Sequence, residues 1–333
     1  MSVNDRRFAL TPEALELIDL IARRGSFAAA ARELGKVPSA LTYNVRQLEQ
    51  SLDVLLFDRR YRSARLTAAG QELLNESRRV LTQIDAIANR VRRVATGWET
   101  ELSIAVDQMV ESGVMLELVH AFYHQQVSWS RPKPSGGQAS EGFGAPPTRL
   151  RLAQEVLNGT WEALMSGKAD LAIGLVPNQA PLPDIEVTPL GVLQVVLAVA
   201  PHHPLATASE PIDPETVASH RMVVIADTAQ RMPSLSRGVQ SGQEVLTVAD
   251  LRTKVRAQML GLGCGHLPLS LVEPLQAAGK LVGRPAAGTV LVEMVYGWRR
   301  SAAKGKALAW WLQQLERPQT RAALLTHRAA GYL

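Results

Sequence analysis

Apolar residues recur at helical spacing through the first hundred positions, then give way to short apolar runs separated by polar turns. From Thr11 to Arg24, Leu15, Ile18, Ile21 and Ala22 share one face of a predicted helix, with Thr11 placed to cap it and Pro12 at its first position. Ala28, Ala29, Ala30, Ala31 and Leu34 predict a slim second helix behind the capping residue Ser26, while Gly25 suits the end of the helix before it. Gly35 and Lys36 supply a turn, and Pro38 opens a third helix whose apolar stripe is Leu41, Val45 and Leu48. Ser39, Thr42, Tyr43 and Arg46 fall on its opposite face. Leu55, Leu56 and Phe57 predict a short strand, and residues 59–65 a strand-turn-strand. From Leu66 to Thr96 the period becomes seven: Leu66, Leu73, Val80, Ile87 and Val94, interleaved with Ser77, Ile84 and Val91. That is a coiled-coil seam on one long helix, capped by Thr67 and marred at its start by Gly70.

Beyond residue 101 the pattern alternates. Strands are predicted at 102–106, 149–156, 170–175, 194–200, 221–226 and 289–298, and helices at 113–126, 160–167, 250–261 and 304–316. Strands alternating with helices imply an α/β domain with a largely parallel sheet. Their order suggests two subdomains, with the chain crossing between them near 176–200 and 267–289. Residues 128–147, SWSRPKPSGGQASEGFGAPP, break the pattern: rich in Ser, Gly and Pro, they predict a disordered insertion, with a lid over a ligand cleft as the functional alternative.

Composition sharpens this picture at three points. The 333 residues suffice for two or three domains, and an apolar content of 46% allows real cores. The formal charge is +5, and residues 1–100 hold 16 Lys and Arg against 12 Asp and Glu, so the basic excess lies with the first helices and suggests an anionic partner. Cys264 is the single cysteine, which excludes an intrachain disulfide framework and fits a reducing cytoplasm. The opening stretch MSVNDRRFAL has no apolar core, so no signal peptide is expected, and no apolar run is long enough for a membrane span.

The chemistry on offer is recognition chemistry. Hydroxyls and an Arg fork on one helix face, with no acid among them, suit base edges and phosphates in a DNA major groove. Arg59, Arg60, Arg62 and Arg65 would line the phosphate backbone and make affinity fall steeply with salt. Catalytic motifs are missing: there is no G-x-S-x-G, H-E-x-x-H or Walker A run, and GLGCGH at 261–266 fails the dinucleotide fingerprint at His266. His202 and His203 are adjacent, poor geometry for one metal. No catalytic residue, metal site or cofactor is expected, and Cys264 reads as a small core residue.

The runs GSFAAAARELG (25–35), PSALTYNVRQLE (38–49), LFDR (56–59) and RLTAAG (65–70) together resemble the LysR-type transcriptional regulators. Tyr43, where many members carry a base, and Asp53, where most carry Gly, depart from the pattern. The resemblance implies an α/β chain with a winged helix-turn-helix at 10–67 (the motif itself 27–46), a dimerising linker helix at 67–97, and an effector-binding domain at 101–320 like type 2 periplasmic binding proteins. In that domain the first subdomain would hold 101–175 and 277–320, and the second 176–276. Ser26, Pro38, Ser39, Thr42, Tyr43, Arg46 and the wing arginines would face double-stranded DNA at a promoter pseudo-palindrome. Leu73, Val80, Ile84, Ile87, Val91 and Val94 would hold a homodimer, itself paired into a dimer of dimers, with RNA polymerase a further candidate partner.

Ligands in open α/β sheets bind beyond strand C-termini where helix N-termini converge. That places Asp107, Gln108 and Met109, then Asn158, Gly159 and Thr160, around a small-molecule effector. Asp227 and Thr228 would face them from the other subdomain, and Ala200 and His202 would lie at the hinge. Thr160 is expected as the helix cap, and Asp107 points to an effector that donates hydrogen bonds or carries positive charge. The alternative reading is an architectural DNA-binding protein with a vestigial cleft.

Overall fold

The structure, a computed structural model, describes residues 9–58, 60, 63–131, 140–177, 184–235, 238–284, 290–300 and 305–329. The chain divides into two compact units, Met1–Ala88 and Asn89–Leu333.

In the first unit, α1 (Pro12–Arg24), α2 (Phe27–Glu33) and α3 (Pro38–Leu52) follow one another, each begun and ended by local chemistry. Thr11 accepts from the Ala14 N–H at 3.2 Å and Ser26 from that of Ala29 at 3.4 Å. Gly25 (φ 63°) and Asp53 (φ 55°) stop α1 and α3 in the left-handed region, which Asp tolerates better than most side chains. A two-stranded wing follows, β1 (Phe57–Asp58) antiparallel to β2 (Arg65–Leu66), and then α4 (Ala68–Thr96). Ile18, Ile21, Leu41 and Leu56 are fully enclosed, each worth about 1.5–3 kcal/mol of burial, and Phe27 meets Phe57 edge-on at 5.1 Å.

Three expectations change here. The first wing strand starts at Phe57 rather than Leu55, and Leu66 belongs to the wing, so it does not begin the seam. Gly70 is no flaw in α4: a Cβ there would lie 2.0 Å from the Leu56 carbonyl oxygen, so the wing and the helix approach only because it is absent.

In the second unit the elements run β3 (Glu101–Asp107), α5 (Ser112–His124), β4 (Val127–Arg131), β5 (Ser140–Gly144), β6 (Arg149–Glu155), α6 (Asn158–Met165), β7 (Leu171–Leu175) and β8 (Ile185–Val199). They continue as α7 (Pro214–Ala218), β9 (Met222–Ile225), β10 (Val245–Val248), α8 (Leu251–Met259), β11 (Gly265–Pro268), α9 (Leu269–Ala277), β12 (Val282–Arg284), β13 (Val290–Arg299), α10 (Lys306–Glu316) and α11 (Pro318–Leu324). The main sheet has the order β11-β8-β13-β7-β3-β6, with β12 also on β8; β9 and β10 form a parallel pair of their own.

The sheet is mixed, not largely parallel. β3 is parallel to β6 and β7, but β13 is antiparallel to both β7 and β8. The cause is the crossing: β8 carries the chain from the first subdomain to the second and β13 brings it back alongside, so the two must run opposite ways. The return begins after Arg284 rather than at 277, because β12 pairs with Val199–Leu197 and Leu281 packs in the second subdomain's core. The domain also runs past 320. Leu324 packs in the first core and Ala329 in the second, so the terminal segment crosses between subdomains a third time.

The insertion is not simply disordered. Val127–Arg131 pairs antiparallel with Ser140–Gly144; residues 132–139 lie outside the described residues. A segment too polar for a core can still satisfy its backbone groups across a hairpin. Cys264 is enclosed in the second subdomain, as expected.

Candidate functional site

Two surfaces carry the candidate chemistry, one in each unit. On α3, Leu41, Val45 and Leu48 are buried and hold the helix against α1 and α2, which turns Pro38, Ser39, Tyr43 and Arg46 out to solvent. Tyr43 is 61% exposed and its hydroxyl accepts from Gln47 Nε2 at 2.9 Å, so Gln47, absent from the expected set, shares that face. Thr42 is half-buried and its hydroxyl donates to the Pro38 carbonyl at 3.0 Å. Ser26, expected to touch DNA, is committed to capping α2.

The wing is joined to α3 by a residue the sequence did not single out. Glu49 is buried, and its Oε1 accepts from the backbone N–H of Leu56 at 2.8 Å and of Phe57 at 3.3 Å. In the wing, Arg60 reaches back to Asp58, Nη2 to Oδ2 at 2.5 Å, and the guanidinium holds the Asp58 carboxyl down at about 2. Arg65 lies on β2; Arg59 and Arg62 lie outside the described residues.

Along α4, Leu74 and Ser77 are buried within the first unit and Leu73 is partly so. Further on, Val80, Ile84, Ile87 and Val91 stand 41, 38, 52 and 65% exposed in the single chain. Val94 lies on the helix, but its side chain lies outside the described residues.

In the second unit the effector candidates converge, in an arrangement spacing alone does not suggest. β3 ends at Asp107, a residue only 5% exposed. Its Oδ1 accepts from the Met109 N–H at 2.8 Å, and its Oδ2 from the Leu157 N–H at 3.0 Å and the Thr160 hydroxyl at 3.4 Å. Burial pushes the Asp107 carboxyl up to about 6 against those donors, with help from the Asp227 charge. Thr160 is therefore not the cap of α6. That position belongs to Leu157, held at φ 51° and ψ −118° with no capping side chain. A non-glycine residue there costs on the order of 1–3 kcal/mol, so the backbone is clamped by its surroundings.

The cap comes from the other subdomain. Asp227, just past β9, accepts from the N–H groups of Gly159 at 3.1 Å and Asn158 at 3.4 Å, and from those of Ala229 and Leu235 in its own loop. A carboxylate thus already sits on the positive end of α6. Thr228 donates to Glu155 Oε2 at 2.5 Å and approaches so closely that a Cβ on Gly159 would fall 1.8 Å from its hydroxyl. Asn158 Nδ2 donates to the Pro233 carbonyl at 2.8 Å, and Gln108 accepts from the Leu251 N–H at 2.6 Å. Glu162 Oε2 accepts from three successive N–H groups, Gln230, Arg231 and Met232; burial raises its carboxyl, but these donors outweigh it and leave the group below the usual range.

These bonds latch one subdomain to the other. Asp107 is consumed by protein donors, so its charge does not report the charge of an effector. Ala200 and His202 are not brought to this cluster. Ala200 is buried just past the end of β8 that pairs with Gly265, and His202 is an exposed neighbour of Gly261. Glu155, Leu157 and Glu162 belong to the cluster and carry no sequence signal: Glu155 and Glu162 accept from donors about seventy residues on, and the Leu157 N–H donates to Asp107, fifty residues back.

A family model described as bacterial regulatory helix-turn-helix protein, lysR family, matches residues 12–71, and one described as LysR substrate binding domain matches residues 145–319. The uncharacterized HTH-type transcriptional regulator YeeY of Escherichia coli K12 is 35% identical over 305 residues, 91% of this chain and 92% of its own length. The probable HTH-type transcriptional regulator YhaJ of the same organism is 34% identical over 307 residues, 92% of this chain and 96% of its own. Among solved structures, full-length CbnR complexed with its target DNA shares the fold at TM-score 0.58 and 21% identity, covering 92% of this chain and 99% of that one.

Proposed function

The chain belongs to the LysR family of DNA-binding transcriptional regulators with an effector-binding domain, and from that premise we propose that α3 reads the operator through Ser39, Thr42, Tyr43 and Arg46. The observation that carries this reading is the split of α3 into an enclosed apolar stripe and an outward row of hydroxyls and one guanidinium. Pro38 and Ser26 set the entry of their helices, and Arg60 and Arg65, with Arg59 and Arg62, lie along phosphates. The bare stripe Val80, Ile84, Ile87 and Val91 supports self-association through α4, which spans about 44 Å. Two copies then present two α3 helices to the halves of a pseudo-palindrome, and two dimers make the tetramer. The protein works in the cytoplasm, with RNA polymerase as a partner at the promoter.

The effector enters between the subdomains at the cluster of Asp107, Gln108, Met109, Asn158, Gly159, Thr160, Asp227 and Thr228. To do so it replaces the Asp227 carboxylate on the N-terminus of α6, and the angle between the subdomains changes with it. Coupling of about 1–3 kcal/mol between effector and DNA is enough for a 5–150-fold response. The test is to capture sheared DNA from the source genome on purified protein and sequence it. A few dyad-containing sites, lost with Arg46→Ala, are expected. Diffuse enrichment that vanishes with moderate salt would contradict the reading.

A further inference from the structure

The second unit also carries a groove of about 610 Å3 that none of the cleft residues lines. Its floor is Pro189–Gln194 of β8, the stretch that leads from one subdomain to the other, and it includes Leu190, the extra residue where β8 and β13 slip register. One wall, with Leu269, Ser270 and Glu273, belongs to α9 of the second subdomain. The other, with Arg321, Ala322 and Thr326, belongs to α11 and the turn after it, in the first. The volume lies within the roughly 300–1,000 Å3 usual for small-molecule sites.

One charge of each sign faces the groove from opposite walls. Arg321 donates through Nη1 to the Pro189 carbonyl at 3.1 Å and, among the described residues, meets no carboxylate. Glu273 is exposed and meets no cation there, and the two do not pair with each other. The α9 helix opens behind Pro268 with no side-chain cap, so its positive end adds to Arg321. Next to Thr326 in the chain, His327, whose backbone N–H is bound to Ser270 Oγ at 3.0 Å, is 8% exposed and, among the described residues, has no partner on either ring nitrogen.

We propose that this hinge groove is a second ligand site, separate from the cleft, for a small zwitterion with an apolar side, of the kind a free apolar amino acid provides. Its carboxylate meets Arg321 and the end of α9, its ammonium meets Glu273, and its side chain lies against Leu269 and Ala322. Because the two walls belong to different subdomains, the occupant favours one angle between them and biases the cleft. The proposal concerns binding to the second unit alone and does not depend on what α3 reads.

Calorimetric titration of the full chain without DNA tests it, with L-leucine, L-methionine and L-phenylalanine as zwitterions, 4-methylpentanoate as the acid alone and 3-methylbutylamine as the amine alone. At least one amino acid should saturate at one site per chain, with both one-charge probes at least tenfold weaker. Glu273→Gln should weaken the amino acid tenfold and leave the acid unchanged. Ala322→Trp, which fills the groove from the exposed side of α11, should abolish binding with the circular dichroism unaltered. Absence of saturable binding by all three amino acids, equal binding of the acid alone, or binding retained in Ala322→Trp would overturn the site. Genomic capture by the same protein is read independently, so failure here leaves the operator reading standing.

Discussion

The outward face of α3 and the inward end of α6 are both helix surfaces dressed with polar groups, and they are finished in opposite ways. On α3, Ser39, Tyr43 and Arg46 stand exposed, and the packing falls to the apolar stripe and the buried Glu49. At α6 the polar groups are matched within the chain, and Asp107, Thr160 and Glu162 are buried: Asp227 caps the helix, Asp107 and Glu162 accept from backbone and hydroxyl donors, and Thr228 donates to Glu155. A surface that meets a rigid polyanion can be built complete and left open. A surface that must respond to a small molecule gains by having an internal substitute, since the effector then competes with something and the competition sets a threshold.

The largest effect should come from removing the geometry that gives the open face its meaning. Ile87→Glu places a charge on the bare stripe of α4. Light scattering should show monomers, and binding to a two-half-site operator should fall more than 100-fold, about 2.7 kcal/mol or more. A dimer that survives would mean the stripe is covered in some other way. Next in size is Arg46→Ala, which should cost about 1–3 kcal/mol at one base step and relax specificity there, while non-specific affinity changes little. Footprints identical to wild type would mean that α3 is a solvated face like any other.

The self-filled end of α6 is tested by Asp227→Ala. Four N–H groups lose a charged acceptor, and bonds to charged groups contribute about 1.5–3 kcal/mol. The amides of Gly159, Ala229 and Leu235 should exchange hydrogen 10- to 100-fold faster, with those of the α3 core unchanged. Protection that persists would show the latch to be carried by Glu162 and Thr228 instead.

The same contrast explains what the sequence disclosed. The helix-turn-helix was legible because its determinants are local: Thr11, Ser26, Gly25 and Asp53 act within four residues, and Leu41, Val45 and Leu48 announce the buried face by spacing alone. The cleft was only half legible. Strand ends located Asp107, Asn158 and Asp227, but nothing within α6 tells that Asp227 caps it, that Leu157 holds a strained backbone, or that Thr160 is enclosed against Asp107. Ala200 and His202 were misplaced because the end of β8 that reaches the cleft is decided by pairing with β11 and β13, not by position in the chain. The mixed sheet was missed because hydrophobic pattern names strands but not their partners; Val127–Arg131 and Ser140–Gly144 were missed because they carry too little apolar alternation to be named as strands at all.

The smallest predicted effect probes the enclosed side of the comparison through its pH dependence. Thr160→Val removes only the long 3.4 Å bond to Asp107, a change of about 0.5–1.5 kcal/mol at most. Burial puts the Asp107 carboxyl in the folded chain at about 6, above its ordinary 3.8. Its contribution to stability is therefore fully present below about pH 4 and is lost as pH rises through 6. The Thr160 hydroxyl is one of the donors that offset this loss, because it favours the carboxylate over the acid. Without it the carboxyl moves higher still, so the variant should match wild type near pH 4 and fall below it only where Asp107 is ionised. Melting curves of both proteins at pH 4.5 and 7.5 check this. An equal deficit at the two values would mean that Thr160 contributes by filling space, and that the polar matching around α6 owes nothing to its hydroxyl.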